Sequence, residues 1–173
     1  QFEPADNMSD LLRQGEDINI DDRIQNLGSD VAGLQELILY GLKGMAAYAD
    51  HAQILGVEDD DVYAFFHETL DFLANNPTDV NELVSKSMEV GKVNIRVMEM
   101  LDEANTGAYG HPEPTQVRTT PVKGKAILVS GHDLRDLGAL LEQTKGKGIN
   151  VYTHSEMLPC LAYPGLKKYD HLV

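Results

Sequence analysis

"KAILVSGHDLRDLGALLEQTKGKGINVYTHSEML", residues 125–158, decides the fold. Lys125 to Ser130 reads as a strand, because Ala126, Ile127, Leu128 and Val129 form an unbroken apolar run. Such a run is the pattern of a strand buried on both faces. Asp133 is placed to cap a following helix whose inner stripe is Leu134, Leu137, Leu140 and Leu141. "TKGKG", residues 144–148, stops that helix, and Ile149 to Thr153 is a second strand. Ser155 is placed to cap a short helix through Met157 and Leu158. A strand–helix–strand unit of this kind is a right-handed parallel crossover. After "YPGLKKY", residues 163–169, "HLV" reads as the start of a third strand. Two or three parallel strands expose their edges and leave their faces uncovered, so the chain is expected to be a piece of a longer protein.

Parallel strands bring their C-terminal ends to one edge of the sheet, where open α/β sheets bind ligands. His132 follows the first strand and Glu156 the second. Neighbouring strands lie about 4.8 Å apart, so both side chains can reach one ion. An imidazole and a carboxylate suit zinc, iron or another transition metal. The competing reading has His132 supporting the turn and Glu156 capping the short helix. Gly131 stands without the glycine-rich set that a dinucleotide pyrophosphate needs, which disfavours such a site. Cys160 has His154 and His171 in its region, but it follows Pro159 in an apolar context. An inert, partly buried thiol is the better reading.

Upstream the period changes from strand to helix. Residues 1–28 are polar and weakly periodic, an arm with one short helix near Met8 to Arg13. From Ser29 or Asp30 a helix carries Val31, Leu34, Leu37, Ile38, Leu42, Met45 and Tyr48 at helical spacing. Gly41 and Gly44 in it read as packing devices. A second helix fits Asp60 to Ala74, with Val62, Phe65, Phe66, Leu70 and Leu73 inward. Asp79 opens a third, with Glu82 at the capping-box position. Its inner face reads as Val80, Leu83, Val84, Ser87, Met88, Gly91, Asn94, Ile95, Met98 and Leu101. The fold class is therefore an α+β multidomain fragment: a three-helix antiparallel bundle over 29–108, a Pro- and Gly-containing linker over 109–124, and the start of a Rossmann-like parallel α/β domain over 125–173. His51 and His67 have no carboxylate or second His at i+4, so each reads as a structural histidine. "EDDD", residues 58–61, lacks the glycine and spaced ligands of a calcium loop and reads as a solvated helix start.

Composition narrows the partners. The 173 residues carry a net charge of -14, unevenly spread. Residues 1–117 hold 6 Lys+Arg against 23 Asp+Glu, and residues 118–173 hold 8 against 5. That charge argues against nucleic acid and against an anionic membrane. No stretch approaches the roughly 20 apolar residues of a membrane span. The single cysteine excludes an internal disulfide and fits a reducing, cytoplasmic setting.

At "YGLKGMAAYADHA" (40–52), "NTGAYGHPEPT" (105–115), "ILVSGHDLRDL" (127–137), "LLEQT" (140–144) and "VYTHSEMLP" (151–159) the sequence resembles the hybrid-cluster protein family, also called hydroxylamine reductases or prismane proteins. The carbon monoxide dehydrogenases are more distant relatives with the same sheet architecture. The resemblance implies a hybrid 4Fe-2S-2O cluster and a second iron–sulfur cluster in the full-length parent. It implies that the His of "SGHDL" and the Glu of "HSEML", here His132 and Glu156, are iron ligands. The implied reaction is two-electron reduction of hydroxylamine to ammonia and water, with nitric oxide as the other associated substrate. The implied electron donor is an NADH-dependent iron–sulfur flavoprotein reductase. The chain departs from the family pattern in having no N-terminal cysteine motif. The family's remaining ligands (several cysteines, a second glutamate and a nearby lysine) lie beyond the position of Val173. The fragment alone is thus expected to be inactive and to hold no cluster. The alternative is a non-catalytic binding module that docks a basic partner through the acidic residues 1–117.

Overall fold

The computed structural model describes residues 3–16 and 19–173; of the expected polar arm, residues 1–2 and 17–18 lie outside them. The described chain is mostly helical and carries one small parallel sheet. It forms two compact units: Gln1–Ala46 with Asp60–Ile95, and Ala47–Asp59 with Arg96–Val173. Two long helices contribute to both.

The first unit opens with two short helices, α1 (Met8–Glu16) and α2 (Ile20–Leu27). The arm was expected to hold one. Asn19 caps α2 by accepting a hydrogen bond from the Asp21 N–H at 3.1 Å, and Gly28 ends it at φ +82°. Neither helix buries a residue, so the apolar signal that marks a helix in sequence is weak here. Next comes α3 (Ser29–Ile54), which buries Ala32, Ile38, Leu42 and Met45 in this unit. Gln35 is also buried. Its amide donates to the Pro77 carbonyl at 2.7 Å and to Asn76 Oδ1 at 3.2 Å, which offsets its desolvation. Leu37, expected inward, is 59% exposed. In α4 (Asp60–Ala74), Val62 and Thr69 are buried, while Leu70, also expected inward, is exposed.

The inner face of α5 (Val80–Tyr109) differs from expectation. Asp79 caps it, its Oδ1 accepting from the Asn81 N–H at 2.7 Å. Leu83 and Val90 are buried here, and Val97, Met100 and Ala104 continue the row into the second unit. Val80, Val84, Met88, Ile95 and Met98, all expected inward, are exposed. The two rows lie one residue, about 100°, apart on the helix. Both are apolar, so periodicity cannot choose between them. The contact made by α3 does choose. A Cβ on Gly41 would stand 2.9 Å from Val90 Cγ1, so the helices meet where Gly41 has no side chain. Gly44 meets nothing within 4 Å and is not a packing device of this kind.

The second unit holds the end of α3, the rest of α5 and the α/β segment. Strands β1 (Lys125–Val129) and β2 (Ile149–Thr153) pair in parallel, with Val129 opposite Thr153. Between them runs α6 (Leu134–Thr144). Leu172 makes a parallel bridge to Val151, whose N–H donates to the His171 carbonyl at 2.7 Å. That bridge falls on the side of β2 away from β1. Leu134, Leu137 and Leu141 of α6 pack with Val151, Met157, Cys160, Leu166 and Leu172 in one core. The expectation that β1 is buried on both faces does not hold: Leu128 is 69% exposed, because α6 and its neighbours cover one face of the strand. Past β2 lies a 3-10 helix, Ser155–Ala162, then a single turn, α7 (Pro164–Lys167). Ser155 does not cap the 3-10 helix as expected; it is its first residue, and the preceding His154 makes no side-chain cap. Pro159 lies inside this element and donates no backbone hydrogen bond to it. Residues 110–124 carry no regular helix or strand but are tied down. The Glu113 N–H donates to the Ala162 carbonyl at 2.9 Å, and the Val122 N–H donates to the Tyr152 hydroxyl at 2.7 Å.

Candidate metal-ligand edge of the sheet

The register of the sheet sets the site. Val129 and Thr153 are paired last residues of their strands. His132 and Glu156 each lie three residues beyond that pair, so equal lengths of chain carry them past the C-terminal edge. The turns are matched in a second way. A residue of positive φ precedes each side chain, Gly131 at φ +124° before His132 and Ser155 at φ +50° before Glu156. For serine this conformation is strained. Both His132 and Glu156 are exposed. His132 lines a cleft of about 290 Å³ at this edge, with Val129, Asp133 and Met157 among its walls.

The electrostatics favour an ionised carboxylate. Glu156 has its pKa held below the ordinary glutamate value, first by its own backbone N–H and then by the nearby His132 imidazole. A hydrogen bond from Ser155 acts in the same direction. His154, between β2 and Ser155, has its Nδ1 3.3 Å from the Ser130 hydroxyl. That contact links the ends of the two strands just inside the edge.

Two residues that the sequence reading set aside belong to this neighbourhood. His51 was read as a structural histidine with no partner along its helix. Its partner comes from another element: Nδ1 stands 3.7 Å from Asp133 Oδ2, inside ion-pair reach and beyond a hydrogen bond. Tyr48, read as a core position, lies edge-on to His132 with ring centroids 5.8 Å apart and planes at 74°. The available signal was weak: an aromatic and a histidine three apart, on one face of an apolar helix.

Cys160 is fully buried in the α/β core, and burial pushes its thiol up to about 11. It is not a thiolate donor. Among the described residues no three His, Cys, Asp or Glu side chains converge as a metal site. Two positions on an iron centre suit the nitrogen and oxygen donors of His132 and Glu156. A complete iron–sulfur cluster, which is held by thiolates, does not fit this donor set. Among the described residues no helix is long and apolar enough to cross a membrane.

Comparison with known proteins gives the family of the chain. A family model described as the Prismane/CO dehydrogenase family matches residues 2–173. A hydroxylamine reductase of Acidithiobacillus ferrooxidans is 58% identical over 171 residues, 99% of this chain and 31% of that protein. Proteins of the same name from Burkholderia ambifaria and Thermodesulfovibrio yellowstonii are 55% and 56% identical over 99% of the chain, covering 31% and 32% of their own lengths. The chain therefore spans about a third of the length of the curated relatives it matches.

Proposed function

The chain belongs to the prismane/CO dehydrogenase family, and from that premise we propose that it is a segment of a hydroxylamine reductase. The reaction adds two electrons and two protons to hydroxylamine and yields ammonia and water. One observation carries the reading beyond the relatives' shared name: His132 and Glu156 leave paired strand ends at equal offsets, each behind a left-handed residue. In the whole protein these two would be iron ligands of a hybrid 4Fe-2S-2O cluster, with a second iron–sulfur cluster elsewhere. The thiolates would come from residues outside this chain. When bound, such a centre supplies electrons and an open coordination position for a nitrogen or oxygen substrate.

The chain's own part is to present two donors. Glu156 is anionic at neutral pH as any free glutamate is, and its lowered pKa extends that to more acidic solution, where protons would otherwise compete for the oxygen that binds metal. We also read Lys125–Val173 as the beginning of a Rossmann-like domain, residues 109–124 as its linker, and the helices of 29–108 as a three-helix bundle. Nitric oxide as a further substrate, an NADH-dependent iron–sulfur flavoprotein as electron donor and a reducing, cytoplasmic setting complete the proposal. The test is made in the full-length protein. His132→Ala and Glu156→Ala are expected to lower both bound iron and hydroxylamine turnover strongly. Wild-type iron and turnover in both variants would remove the two residues from the site.

A further inference from the structure

We propose that Tyr48 and His51, on the last turns of α3, are positioning residues for His132. This rests on the reading of His132 as an iron ligand, and it assigns a task to a stretch of helix that otherwise has none.

Three observations meet here. First, the end of α3 from Ala47 belongs to the same compact unit as β1 and α6, apart from the rest of its own helix. Second, Tyr48 places its ring edge-on to the His132 imidazole, a favourable aromatic geometry that fixes the plane of the imidazole. Third, the carboxylate of Asp133 is shared. Its Oδ1 accepts from the N–H groups of Arg135 at 2.8 Å and Asp136 at 3.1 Å and so caps α6. Its Oδ2 faces His51. His51 Nδ1 is buried and makes no hydrogen bond, so it stands aimed at Asp133 with no competing partner. A buried polar atom left in this way is unfavourable unless a small closure completes its bond. His132 thus lies between Gly131 and an aspartate that caps α6 and faces His51 of α3, with the Tyr48 ring edge-on to its imidazole. Side chains that orient a ligand from behind are a general feature of metal sites, and losing one costs on the order of tenfold or more in affinity or activity.

The test uses the full-length protein with its iron. In Tyr48→Ala and His51→Ala, kcat for hydroxylamine is expected to fall on the order of tenfold with KM little changed. The electron paramagnetic resonance line shape of the iron centre is expected to change in both. Tyr48→Phe keeps the ring and should recover the line shape. His51→Asn sets an amide nitrogen near the place of Nδ1 and should recover it as well. Asp133→Asn retains a capping side chain but loses the carboxylate facing His51, so it should reproduce the spectrum of His51→Ala even if an alanine variant fails to fold. His132→Ala separates the two readings: a wild-type spectrum there retires the ligand itself. An altered spectrum in His132→Ala, with wild-type spectra in the Tyr48, His51 and Asp133 variants, overturns the positioning role. Failure of the Phe and Asn variants to recover overturns it too.

Discussion

A left-handed residue stands before each candidate ligand, and the two differ in what that conformation costs. Glycine enters the region freely; a residue with a Cβ gives up about 1–2 kcal/mol. A Cβ on Gly131 would meet nothing within 4 Å, so the penalty of Gly131→Ala is conformational alone. We expect Gly131→Ala to destabilise the chain by about 1–2 kcal/mol in urea unfolding, and Ser155→Gly to cost less or to stabilise. Equal stability of the wild type and Gly131→Ala would mean the turn relaxes to another path. Cys160 gives a second test. Its thiol should resist alkylation in the folded chain at pH 8 and react on unfolding. Because its pKa is raised to about 11 by burial, the folded state binds the proton more tightly than the unfolded state. The stability due to this difference is complete below the unfolded pKa near 9, and it is lost as pH rises through about 11. Cys160→Ala should therefore flatten the alkaline limb of a stability curve. At this scale the placement of His132 and Glu156 just past paired strands was legible, because strand ends are legible. Tyr48 and His51 were not, because their partners lie far along the chain, and a search at i+4 looks only along one helix.

The single apolar stripe of α6 was read correctly, and the inner face of α5, which carries two apolar rows, was not. In α6, Leu134, Leu137 and Leu141 face the core as the sequence suggests, and the bounds of α4 fall at Asp60 and Ala74 as expected. In α5 five apolar side chains point outward and five inward, and the choice of row rests on where Gly41 admits Val90. A pair of substitutions checks this. Leu83→Ala removes a fully buried side chain and should cost about 2–5 kcal/mol. Met88→Ala removes one that is 72% exposed and should change stability by about 0.5 kcal/mol or less. A cost at Met88 as large as that at Leu83 would restore the face first expected, which held both. The sheet shows the same limit: an apolar run identifies a strand, but how many of its faces are covered depends on elements that the run does not contain.

At the scale of the whole molecule, charge and exposed apolar surface oppose each other. Val84, Met88 and Ile95 are exposed on α5, and a net charge of -14 keeps copies of the chain apart. Salt shortens the reach of that repulsion from about 10 Å at 0.1 M to about 3 Å at 1 M. Light scattering should therefore show the isolated chain associating as salt is raised, and Met88→Lys should suppress it. An unchanged mass at high salt would mean that this face does not self-associate. The shared carboxylate of Asp133 also orders events in time. A ribosome releases α3 long before it releases β1 and α6. The helix turns bearing Tyr48 and His51 emerge with His132 and Asp133 still unmade. During synthesis that end of α3 must wait, its tyrosine and histidine unmatched, until the crossover arrives.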